Sequence, residues 1–192
     1  MQKTAPLEIL SSKTVFENLW ETLLLEQVRD ATGKEWEYLL SKTREYAVII
    51  PCLPDHSIVL LRQYKHGVRR PVLTLPAGYM EKGETPEACA RRELWEETGY
   101  HTPSVRPIGS LTENHTRSRS FFHVFVAHNI SHDPHHESNP DDTEGNGEMI
   151  RLPPHMLLQA DVIRDIPSAP ILASILLASS KGALNLSPPT TP

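Results

Sequence analysis

Residues 78–100 read GYMEKGETPEACARRELWEETGY, and the reading of this stretch decides the fold. Thr85 suits a helix N-cap, Pro86 the first helical position and Glu87 the first turn. Gly99 suits the left-handed stop just past the last turn. These signals predict one short helix after a loop bracketed by Gly78 and Gly83. Glu93, Glu96 and Glu97 stand at i, i+3 and i+4, which puts three carboxylates on one helical face. Like charges so placed repel one another and destabilise a bare helix. Arg92 can neutralise part of the cluster or reach back to Glu84. A hard divalent cation with oxygen ligands, Mg²⁺ or Mn²⁺, is the economical partner for the rest. Ala90, Leu94 and Thr98, joined by Ala88, form a narrow second face that can pack. The competing reading is a solvated acidic helix, the usual meaning of a run of Glu.

Outward from this stretch the pattern is that of strands. Residues 19–28 (LWETLLLEQV) and 35–41 (EWEYLLS) read as a hairpin around the turn Asp30-Ala31-Thr32-Gly33. Tyr46 to Cys52 is short and nearly all apolar, as a buried strand is. Ser57–Tyr64, Val72–Leu75, Val105–Leu111, Phe121–His128 and Met149–Leu152 read as further strands. Residues 131–147 (SHDPHHESNPDDTEGNG) are polar and read as a loop. A helix is expected near Ser168–Ser180 and a short one over Pro154–Gln159. The stretch 187–192 is rich in Pro and Thr and reads as a disordered tail. Strands with a helix after a glycine loop imply an α+β or α/β sandwich. The expected division is an N-terminal β element over 1–43, a main domain over 44–186 and the tail over 187–192.

Composition narrows the function classes. The 192 residues suit one domain with a small appended element, and 39% hydrophobic with 22% charged residues is ordinary for a soluble protein. No apolar run approaches the roughly 20 residues of a membrane span, so no membrane partner is expected. The start, MQKTAPLEILSSKT, lacks the long apolar segment of a signal peptide. Cys52 and Cys89 are too few for a disulfide framework and read as reduced, which suits the cytoplasm. A net charge of −5 argues against a nucleic-acid partner, which calls for a basic face. It leaves open an anionic small substrate, because local cations control the field inside a cleft.

The spacing of Gly78, Glu84, Arg92-Glu93, Leu94, Glu96-Glu97, Gly99 and Tyr100 matches the Nudix box at every defined position. The chain therefore resembles the Nudix hydrolases. A weaker likeness to the branch of ADP-ribose pyrophosphatases and nucleoside diphosphate sugar hydrolases spans most of the chain, including residues 45–80 with RQYKHG and LPAG, and residues 164–180. This resemblance implies the α/β/α sandwich with a mixed sheet, and a homodimer in which the N-terminal β element is exchanged. It implies two or more Mg²⁺ or Mn²⁺ ions held by Glu93, Glu96, Glu97 and the backbone carbonyl of Ala77. Glu93, Glu97 and Arg92 would serve catalysis, with Arg92 and Glu84 also supporting the helix and Glu84 able to touch the metal through water. The general base would be a loop acid, Glu144 or Glu148, with a box glutamate as a third candidate.

The reaction so implied is hydrolysis of the diphosphate in a nucleoside diphosphate linked to a sugar. Candidate substrate contacts are Arg62 and Lys65 in LLRQYK and Arg117 and Arg119 in TRSRS, since guanidinium suits bidentate phosphate contact. Trp20 is a candidate to stack on a base. The loop histidines His132, His135 and His136 read as solvated before they read as metal ligands. The resembling pyrophosphatases carry a proline a short way past the box, and Leu111–Ser118 has none. ADP-ribose and other nucleoside diphosphate sugars thus both stand as substrates. Dinucleoside polyphosphates, coenzyme A and a catalytically silent nucleotide sensor are the alternatives.

Overall fold

The computed structural model describes residues 6–136 and 147–188. The expected tail residues 189–192 and the loop acid Glu144 fall outside that range. The chain divides into two compact units, one of residues up to Glu45 together with Thr112–Phe121, the other of Tyr46–Leu111 and Phe122 onward. The excursion of 112–121 into the first unit is not foreshadowed in the sequence.

The first unit is an antiparallel sheet of β1 (Glu8–Glu17), β2 (Glu21–Arg29) and β3 (Glu35–Thr43), in that order. The expected hairpin is therefore part of a three-stranded sheet, with β2 at its centre. Asp30 shapes the β2–β3 turn by accepting from the Thr32 and Lys34 amides at 2.8 and 3.0 Å. The 112–121 segment is held against β3: Ser41 N–H donates to the Arg117 carbonyl at 2.7 Å. Ser120 Oγ accepts from the Thr43 amide at 2.9 Å and donates to the Thr43 carbonyl at 2.7 Å. Nearly all of β1 is exposed, including Ile9, Val15 and Phe16.

The second unit holds β4 (Tyr46–Pro51), β5 (Ile58–Lys65), β6 (Arg70–Thr74), β7 (Ala77–Tyr79), α1 (Pro86–Thr98), β8 (Tyr100–His101) and β9 (Val105–Leu111). β10 (Phe122–Ala127), β11 (Ser131–His132), β12 (Glu148–Leu152), a 3-10 turn (Pro154–Met156), α2 (Ala160–Asp165) and α3 (Ala169–Ser180) follow. The short helix expected over Pro154–Gln159 is thus a single 3-10 turn, and a separate helix follows it. The start of the polar 131–147 stretch is not loop, since β11 pairs with β8.

One sheet runs β7-β4-β10-β9 and is mixed, because β4 and β10 are parallel while the other pairs are antiparallel. A second sheet, β12-β5-β6, is antiparallel. β4 is apolar throughout because both of its faces are covered. Ala47 and Ile49 pack with Cys89, Ala90 and Leu94 of α1. Val48 and Ile50 belong to the other core, with Ile171 and Ile175 of α3. The result is the α/β/α sandwich, with α1 and α3 on opposite sides of the sheet layer. No described helix is long and apolar enough to cross a membrane.

Candidate active site

The site is built on α1 and the strand that leads to it. Thr85 caps the helix as its sequence suggests, with Oγ1 accepting from the Ala88 amide at 3.2 Å. Gly99 ends it at φ 68°, in the left-handed region, with its N–H on the Trp95 carbonyl at 2.8 Å. Cys89, Ala90, Leu94 and Thr98 are buried on the packing face. The carboxylate of Glu93 lies beside the same face, against the backbone of β7. A Cβ on Gly78 would stand 2.1 Å from its Cδ and Oε1. Glycine is therefore needed at position 78 for close approach, and Glu93 occupies the space that a side chain would fill.

Arg92 organises the acids. Its Nε and Nη2 form a fork on Glu84 at 2.9 and 2.8 Å, and Nη2 also reaches the Tyr79 carbonyl at 3.1 Å. Nη1 bridges Glu93 at 2.6 Å and Glu96 at 2.9 Å. These bonds engage all five guanidinium donors. Glu84 in turn accepts from the Glu81 amide at 2.9 Å, which fixes the loop before the helix. Arg92 thus holds Glu84 below the usual carboxylate range.

Glu93 and Glu97 go the other way. Burial raises Glu93, with Arg92 opposing the shift. Burial likewise pushes Glu97 up to about 7, against the Ala77 hydrogen bond and the nearby charge of Lys65, with Glu93 adding repulsion. Glu97 Oε2 accepts from the Ala77 amide at 2.8 Å. The contact between residue 77 and the cluster is thus through its N–H. On the other oxygen, Gln63 Nε2 lies 3.5 Å from Glu97 Oε1.

These residues fit a hard cation in their chemistry. They offer carboxylate oxygens only, two of them on desolvated groups, and the Oε1 of Gln63 is buried without a partner. They are not preassembled, however. Among the described residues no three Asp, Glu, His or Cys side chains converge as a metal-binding group. Arg92 draws Glu93 and Glu96 to itself, and the Ala77 amide holds Glu97.

Lys65 lies close enough for its charge to act on Glu97. It also lines a largely apolar cleft of about 380 Å³ with Tyr46, Val72, Ala77, Pro170 and Ile171. Arg62 lies on the other face of β5. Side chains alternate along β5, and Ile58 and Leu60 belong to the core on the α3 side while Val59 belongs to the α1 side. Arg62 therefore faces away from Glu97 and pairs with Asp165 and Glu148, each at 3.8 Å. Glu148 is its directly opposed neighbour on β12 and shares that face, largely exposed.

Trp20, Arg117 and Arg119 belong to the first unit. Arg119 is paired there with the buried Glu26 at 3.3 Å. His132 packs edge-on to Tyr100, and His136 edge-on to Trp95. Sequence alone does not single out Gln63, because the apolar run Ile58–Leu61 before it carries no alternation that marks its face.

The mixed sheet, the loop–helix built on 78–100 and the buried acids define a Nudix-type hydrolase fold. The NUDIX domain profile matches residues 42–170, and the chain belongs to the Nudix family. It is 30% identical over 164 residues to the ADP-sugar pyrophosphatase of Mus musculus, covering 78% of this chain and 75% of that protein. It is 28% identical over 122 residues to the ADP-ribose pyrophosphatase of Bacillus subtilis, covering 64% of this chain. The match spans 66% of the Bacillus protein, just under two thirds of its length. A solved structure described as an ADP compounds hydrolase superposes with a TM-score of 0.79 over 96% of this chain and all of its own, at 22% identity. That last likeness concerns the fold alone.

Proposed function

We propose that this protein hydrolyses the diphosphate of a nucleoside diphosphate linked to a sugar, ADP-ribose or another such compound, with Mg²⁺ or Mn²⁺. The observation that carries the reading is the pair of desolvated carboxylates, Glu93 and Glu97, beside the β7 backbone. Buried like charges without a full complement of cations are costly, and bound divalent ions would relieve that cost. Two or more such ions would supply charge neutralisation and water activation for attack on phosphorus. Glu93, Glu96 and Glu97 are the proposed ligands, with the Ala77 carbonyl joining them.

The remaining work falls to the chain. Water adds to one phosphorus, the bridging P–O bond breaks, and a nucleoside monophosphate and a sugar phosphate leave. Lys65 is placed to meet the substrate's negative charge, and the adjoining apolar cleft would shield part of the sugar or base from water. Arg92 holds Glu84 and the loop, so the helix presents its acids in a fixed frame. For the base that takes the proton from water we favour Glu144 over Glu148, since Glu148 is engaged by Arg62. Glu144→Gln should slow turnover and Glu148→Gln should not. If neither slows it, the loop-base proposal fails.

The exposed Ile9, Val15 and Phe16 of β1 support a homodimer formed through the N-terminal sheet, because such a strand calls for a cover. Two buried free thiols suit the reducing cytoplasm. The deciding experiment is a screen of ADP-ribose, other nucleoside diphosphate sugars, dinucleoside polyphosphates and coenzyme A with Mg²⁺ and Mn²⁺. Release of monophosphate from the sugar compounds is expected. Saturable binding with no hydrolysis would instead make the protein a nucleotide sensor.

A further inference from the structure

We propose that Gln63 is a positioning residue of the metal site: its amide N–H steers Glu97, and its unpaired carbonyl oxygen accepts from the hydration shell of the incoming cation. The inference rests on the divalent-ion reading of Glu93, Glu96 and Glu97 given above.

Three observations carry it. Gln63 is only 4% exposed, and its Oε1 is buried with no hydrogen-bond partner. A buried amide normally satisfies both ends, and one left half-satisfied destabilises the fold. Its Nε2 lies 3.5 Å from Glu97 Oε1, a long contact that leaves room to tighten when the carboxylate turns toward a ligand. The amide orientation follows from chemistry, since a flip would set its oxygen against the carboxylate. Finally, the side chain has little freedom to move. The backbone entering β12 passes close beside it, and a Cβ on Gly147 would stand 2.7 Å from Gln63 Cγ.

An acceptor buried beside a proposed metal ligand with no partner in the protein is poorly explained by packing. Methionine or leucine would fill the same space with no unmatched polar atom. A hydrated cation supplies the missing donor, because its waters present O–H groups outward, and a neutral carbonyl accepts them without adding to the acidic crowd. Partners of this kind orient the ligands and tune affinity, and their loss typically weakens metal binding about 10–100-fold.

The test compares wild type, Gln63→Met and Gln63→Glu by calorimetric titration with Mn²⁺ and by melting of the metal-free proteins. Gln63→Met should bind Mn²⁺ about 10-fold or more weakly while its metal-free melting temperature holds or rises, as an unpaired buried acceptor is removed. With substrate, kcat should fall while KM changes little. Gln63→Glu should also bind Mn²⁺ more weakly than wild type, since it loses the N–H that steers Glu97 and sets an oxygen against its carboxylate. Unchanged Mn²⁺ affinity in Gln63→Met, with a lowered melting temperature, would make Gln63 a core residue and overturn the inference alone. Should Gln63→Met not fold, Mn²⁺ binding by Gln63→Glu as tight as in the wild type overturns it. Absence of saturable Mn²⁺ binding in the wild type would remove the metal reading itself, and this inference with it.

Discussion

Glu97 is the residue where burial and charge conflict most sharply. Its carboxyl is pushed up to about 7 from an ordinary value of 4.5. The folded, metal-free protein therefore takes up a proton between those values that the unfolded chain does not. Its stability on this account falls as pH rises through that window, and the penalty is complete above about 7. Burial shifts Glu93 in the same direction. Metal-free protein should melt higher at pH 6 than at pH 8, and Mn²⁺ should narrow the gap. Glu97→Gln should shrink the gap too, keep the fold, and cost orders of magnitude in turnover. An equal gap in wild type and Glu97→Gln, measured by differential scanning calorimetry, would contradict the assignment.

Gly78 separates function from stability in the opposite way. A methyl group there would meet the far end of Glu93, a flexible side chain, rather than backbone. Gly78→Ala should therefore displace the carboxylate at a cost to the fold of about 1–3 kcal/mol, while weakening Mn²⁺ binding. Calorimetric titration beside a thermal melt checks both halves. The acids, Arg92 and this glycine were legible in the sequence because each is defined by spacing. Arg62 and Gln63 were not. They are adjacent in RQYK, and the pleat sends them to opposite faces, which a linear pattern of charge does not record.

The helix α1 is the element whose ends the sequence marked most plainly. Thr85, Pro86 and Gly99 act at their expected positions. Removing the cap with Thr85→Ala should cost about 1 kcal/mol, seen as a lower denaturation midpoint with an unchanged m-value. Because α1 carries the proposed ligands, Mn²⁺ should recover part of that loss. Other elements left weaker traces. β1 reads EILSSKTVFE, a polar run with little alternation, and it exists by pairing with β2. β7, β8 and β11 are three residues or fewer, too short for any periodicity, and form only because a partner strand lies alongside.

For the whole molecule the open question is assembly. The exposed apolar residues of β1 predict a homodimer in solution, measurable by light scattering. Phe16→Glu together with Val15→Glu should shift it to monomer. A wild-type monomer at micromolar concentration would end that proposal. The switch of 112–121 into the N-terminal unit could not be read from the chain either. It rests on bonds joining Ser41 and Thr43 to Arg117 and Ser120, more than seventy residues away in sequence.

What the sequence determined by itself is local: the helix with its caps, the acids on one face, the apolar strands and, through their spacing, the family. These follow from interactions between residues a few positions apart, which a linear pattern records. Only the tertiary structure decided which strand faces point at those acids, that Arg92 engages five acceptors at once, and that Gln63 lies buried against Glu97. Those outcomes depend on long-range strand pairing and desolvation, and neither leaves a period in the chain.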